Sequence, residues 1–133
     1  MFKFFAIIGI LFLSSCAAKF DGGEYSKIVD ATALINPNIC NDTKSIQTNI
    51  DSFLSKMDWL ILYESGLPGN TDTVKLLKGI QDDANRFSEQ LQVIENATAV
   101  APSKPPTTYC KLKVDGMRHT LSIILRAEGT KAS

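Results

Sequence analysis

The chain has 133 residues with 14 basic and 14 acidic side chains, 44% hydrophobic residues, three cysteines and one histidine. One domain's worth of chain with no net charge carries no electrostatic footprint for nucleic acid, so a nucleic-acid partner is excluded. Paired Cys or His ligands at knuckle or helical spacing are missing, and no Cys-x-x-Cys-His occurs, so neither a metal nor covalent haem is expected as a cofactor.

The first element is an export segment. Lys3 precedes ten apolar or small residues, 4–13, which lead into Leu13-Ser14-Ser15-Cys16. A positive start, a short apolar run and small residues together describe an export signal. Ten such residues fall well short of the roughly 30 Å of hydrocarbon that a membrane span must cross. The last four residues resemble the lipobox of bacterial lipoproteins: Leu, two small residues, then Cys. That resemblance covers the export segment alone. It implies a diacylglyceryl group on the Cys16 sulfur, cleavage between Ser15 and Cys16, and acylation of the new amino terminus with a palmitate-type chain. Ala17, where Asp would favour inner-membrane retention, points by the same resemblance to the outer membrane, facing the periplasm. Lipoproteins of this size are encoded by bacteria, their plasmids and their prophages. The other reading of these residues is an ordinary signal peptidase site around Ala17, flanked by the small residues Cys16 and Ala18.

On the lipoprotein reading, residues 1–15 are the signal peptide, 16–23 the lipidated cysteine and a tether, 24–129 the domain and 130–133 a tail. The seven residues 17–23 reach at most about 25 Å when extended, which keeps the domain at the membrane surface. Without Lys3 the mature chain holds thirteen basic and fourteen acidic side chains. The six basic residues from Lys104 onward have two readings: they face acidic helices of their own domain, or they meet anionic headgroups.

After Asp21-Gly22-Gly23 a short helix is expected over 24–35, ended by Asn36-Pro37. Asn41 or Asp42 caps a second helix running to 64, whose apolar residues Ile46, Ile50, Phe53, Leu54, Met57, Leu60 and Ile61 fall at spacings of three and four. Ser65-Gly66-Leu67-Pro68-Gly69 is a turn, and Asn70 or Thr71 caps a third helix with Asp72 in its first turn. Val74 (or Thr73), Leu77, Ile80, Ala84, Phe87, Leu91 and Ile94 give that helix the clearest seam in the chain. Residues 101–106, rich in proline, form an extended connector. A fourth helix starts at Thr107 or Thr108 and ends near Gly129, with Cys110, Val114, Met117, Leu121, Ile124 and Leu125 as its stripe. Gly116 costs that helix about 1 kcal/mol relative to Ala and is read as a mark of close helix approach. No sustained period-two alternation is present. The expected fold is all-α, a small up-down bundle of three longer helices and a short N-terminal one.

Cys40 and Cys110 are an even pair in an exported chain and read as one disulfide. In an up-down bundle they fall at the same end, one just before the second helix and the other in the first turn of the fourth. A free Cys110 at a helix start would have a lowered thiol pKa, which is the reactive alternative.

Met57, Trp59, Leu60, Ile61, Leu62 and Tyr63 make one stretch apolar all round, and Trp59, Leu62 and Tyr63 lie away from the seam. Either the first helix packs there, or these three residues are an exposed patch for a protein partner or ligand. No catalytic constellation assembles: His119 lies off its stripe, facing solvent. Met57 and Met117 read as core, and Asp82, Asp83, Glu89 and Glu95 as a solvated face. The expected function is non-enzymatic: an interaction module, anchored in the bilayer through Cys16, that binds or occludes an envelope protein. The alternative is a bundle that takes a small ligand or lipid between its helices.

Overall fold

The computed structural model describes residues 20–98 and 107–132; the expected signal peptide, Cys16 and the connector expected over 101–106 lie outside the described residues. The architecture is all-α, with helices α1 (Gly22–Leu34), α2 (Thr43–Ser65), α3 (Thr71–Thr98) and α4 (Thr107–Thr130) and a 3-10 segment, Pro37–Asn41, between α1 and α2. Among the described residues there is no strand.

Helix α1, the 3-10 segment and α2 each start where a side chain takes up free N–H groups. The Asp21 carboxylate accepts from Gly23 N at 2.8 Å and Glu24 N at 3.3 Å, so α1 begins two residues earlier than expected and takes both glycines into its first turn. The 3-10 segment is an addition to the expected elements. Asn36 caps it through Asn38 N, and Pro37 sits in its first turn, where no N–H is needed. Of the two candidate caps for α2, Asp42 is the one used, accepting from Lys44 N and Ser45 N. The α2–α3 turn contains Gly69 at φ 84°, a left-handed backbone that a side chain would strain.

The three longer seams are the core: Ile46, Ile50, Phe53, Met57 and Leu60 from α2, Leu77, Ile80, Ala84, Phe87 and Leu91 from α3, and Cys110, Val114, Met117, Leu121 and Ile124 from α4. Ile28, Ala31 and Ile35 close the fourth side. Fully burying side chains of this size contributes about 1.5–3 kcal/mol each. Each helix packs on its neighbours in chain order and α4 returns against α1, while the diagonal pairs make no close backbone approach among the described residues. Gly116 does not mark a close approach. A Cβ there would meet nothing within 4 Å, so that expectation is corrected.

This up-down order gives the bundle two unlike ends. The start of α1, the end of α2, the start of α3 and the end of α4 share one end, where the chain enters at Phe20. The opposite end holds the 3-10 segment, whose Cys40 is bonded to Cys110 in the first turn of α4, with Cα atoms 5.7 Å apart. Arg118 adds a second tie there, donating to the Thr32 carbonyl at 2.9 Å and the Ile35 carbonyl at 3.5 Å at the C-terminus of α1.

Candidate functional site

At the entry end the inward stripes of α1, α2 and α4 continue into glutamate. Glu24 lies four residues before Ile28, Glu64 four after Leu60 and Glu128 four after Ile124, so each carboxylate occupies the next inward position of its helix. All three are buried, with at most 1% of their surface exposed. Their neighbours are Asn70, just ahead of α3, Thr73 in its first turn, and Lys131 beyond α4.

The donors are shared unequally. Asn70 Nδ2 donates to Glu64 Oε2 at 2.5 Å. Glu128 Oε1 accepts from Lys131 Nζ at 2.6 Å and from Thr73 Oγ1 at 3.2 Å. The same ammonium donates to Asn70 Oδ1 at 3.0 Å, so the side chain of Asn70 is spent on the cluster. Glu24 receives no such donor: both of its oxygens are buried without one. A buried carboxylate without a donor is unfavourable, and the usual resolution is protonation. Burial first, then carboxyl–carboxylate hydrogen bonding and repulsion from Glu64 and Glu128, push the Glu24 carboxyl up to about 9. At neutral pH it therefore carries a proton. Burial raises Glu64 as well, against the pull of its hydrogen bonds with Glu24 and Asn70.

One proton, one ammonium, one amide and one hydroxyl thus hold three carboxyl groups together across all four helices. Among the described residues no group of three or more His, Cys, Asp or Glu side chains is disposed to hold a metal ion. Lys131 supplies the cation here. Sequence reasoning missed the cluster, although its signal was present: three glutamates sit where the three-four spacing calls for an apolar residue, all at one end.

On the outer side of α2 lie the three residues singled out as a partner face. Trp59 and Tyr63 stack with ring centroids 5.0 Å apart and planes within 10°. Helix α1 reaches them from one side. Lys27 Nζ stands 5.6 Å from the Trp59 ring, and the Tyr63 hydroxyl donates to Asp21. That bond holds the Asp21 carboxyl below its usual range and raises the Tyr63 phenol. Packing is incomplete, however. Trp59 keeps 44% of its surface in solvent and Leu62 keeps 76%. Beside Trp59 an open groove of about 220 Å³ runs between Lys27, Ser55, Lys56 and Leu60.

A second aromatic pair, Phe20 and Tyr25 (6.1 Å apart), stands at the start of α1. Tyr25 and Lys27, two residues apart, leave different sides of α1, so this pair is separate from the Trp59 face. His119 is exposed, Met57 and Met117 are core, and Asp82, Asp83 and Glu89 face solvent. Compared with known proteins, the chain matches no family model, no curated protein and no solved structure at a significant level.

Proposed function

We propose that this chain is a lipid-anchored protein of the bacterial cell envelope that works without catalysis, docking an envelope protein on the α1–α2 face marked by Trp59, Leu62 and Tyr63. The anchor rests on the lipobox resemblance at Cys16. The docking reading rests on one observation: Leu62 and much of Trp59 stay in solvent although α1 packs directly beside them. A half-exposed tryptophan stacked on a tyrosine is the kind of aromatic anchor that interface centres favour.

Position supports the same reading. With an anchor at Cys16, the five residues to the Asp21 cap would reach at most about 18 Å and keep the entry end of the bundle nearest the bilayer. Trp59 and Leu62 lie in the last two turns of α2, toward that same end. Their partner is accordingly a protein in, or lying against, the same leaflet. The test is a photo-activatable residue at Leu62 in the full-length protein, irradiated in intact cells, with His119 on α4 as the control position. The proposal expects a discrete adduct from position 62 that Trp59→Ala removes and that position 119 does not give. Equal labelling from both positions, or none from position 62, would contradict it.

A further inference from the structure

We propose that Glu24 is a proton-operated latch, which fastens the first turn of α1 to the bundle while its carboxyl is protonated and frees that turn when it ionises. The inference does not depend on the anchor or on a docking partner. It follows from the way α1 is held along its length.

The C-terminal part of α1 is secured several times over. Ile28, Ala31 and Ile35 are in the core, Arg118 holds the carbonyls of Thr32 and Ile35, and the following 3-10 segment is bonded to α4 through Cys40. Before Ile28, the only buried residue of α1 is Glu24. Its hold on the bundle is therefore the hold of one carboxyl group, supplemented by the Asp21 bond to the Tyr63 hydroxyl at the surface.

That carboxyl cannot be ionised in place without a new counter-charge, and no packed element offers one. From α2 it faces the Glu64 carboxyl, whose presence opposes a charge on Glu24, while the nearby Tyr63 hydroxyl is committed to Asp21. From α3 come Asn70 and Thr73, both neutral and already donating to Glu64 and Glu128. From α4 come the Glu128 carboxyl group and Lys131, whose ammonium is divided between Glu128 and Asn70. A negative charge on Glu24 would be buried against two further carboxyl groups, with one cation already shared among their partners. Breaking the local contact and hydrating the carboxylate costs less than keeping it there. Opening stops at Ile28, because beyond it the helix is held by core, arginine and disulfide, so the response is local rather than global.

Release would also change the docking face. Asp21 leaves Tyr63 and Lys27 leaves the Trp59 ring when the first turns of α1 move, so the stacked pair loses its cover on that side. Proton loss thereby exposes more of the surface proposed to bind a partner, a packing change set off by a local charge.

The chain has one tryptophan, so Trp59 emission is a local reporter. The experiment titrates full-length protein from pH 6 to 9.5, reading Trp59 emission, far-UV circular dichroism, and amide exchange corrected for its intrinsic pH dependence. Wild type is compared with Glu24→Gln, and the Glu24 carboxyl is followed directly by carbon-13 NMR in wild type. The latch predicts a sigmoidal emission change that follows the Glu24 carboxyl signal and is absent in Glu24→Gln. Protection of the amides before Ile28 should fall at least tenfold while α3 protection and the dichroism hold steady. The proposal is overturned by a Glu24 carboxyl already ionised at pH 7, by the same emission change in Glu24→Gln, or by protection lost uniformly across the bundle. The carbon-13 and exchange readings need no variant, so they decide the matter even if Glu24→Gln folds poorly.

Discussion

A charge on the carboxyl at position 24 destabilises the folded state, and the direction follows from the proton balance. Its folded value is pushed up to about 9 against about 4.5 in the unfolded chain, so the folded state binds the proton more tightly. The associated stability is fully present below pH 4.5 and is lost as the pH climbs toward 9. Glu24→Gln keeps the shape and removes the charge. In chemical denaturation it should match wild type near pH 4.5, exceed it by on the order of 3 kcal/mol at pH 7, and exceed it further at pH 9. A constant difference across that range would mean that the carboxyl does not titrate with folding. Lys131 acts in the opposite sense. Lys131→Met leaves Glu128 buried without its cation and should cost about 3 kcal/mol at pH 7, measured the same way. At this scale the site was poorly legible. Charge counting treats glutamates as surface, and nothing short of placing Glu24, Glu64 and Glu128 on their helical stripes shows that all three turn inward at one end.

At the scale of elements, the seams carry the fold. Phe87 lies at the centre of the α3 seam, fully buried and edge-on to Tyr109 of α4 at 6.1 Å. Phe87→Ala should cost about 3–5 kcal/mol in urea or thermal unfolding, because a cavity is left where α3 and α4 meet. Leu62→Ser, outside every seam, should change stability by no more than about 0.5 kcal/mol, which makes it a clean probe of docking. The three longer helices, and the Asp42 cap of α2, were legible because three-four periodicity is strong over many turns and the start of each has an Asp, Asn or Thr. The 3-10 segment was not legible. Asn36-Pro37 announces a helix stop, and the five residues of the segment are too few to show a period of their own. Gly116 misled for a related reason: a missing side chain fits close approach and open solvent equally well, and here its side of α4 is open.

For the whole molecule, the two ends have different jobs. One is covalently closed, with Cys40 and Cys110 separated by 70 residues of chain, and its reduction should lower stability by about 4 kcal/mol on the chain-entropy account. Denaturant titration with and without a reductant checks this, and an unchanged midpoint would mean that the pair does not constrain the unfolded chain. The other end, where the chain enters, relies on side-chain hydrogen bonds and a proton. On the anchored reading that adaptable end lies next to the bilayer and the rigid end points away from it. Topology made this division legible in part, since up-down order puts both cysteines together whatever the details. It says nothing about the groups that fill the opposite end. The intact mass of the protein extracted from membranes of expressing bacteria, with and without reduction, bears most directly on the account of an anchored module. The predicted result is a chain beginning at Cys16, heavier by a diacylglyceryl and an acyl group, that gains two hydrogens on reduction. A chain that keeps residues 1–15, or an unacylated one in the soluble fraction, would contradict it.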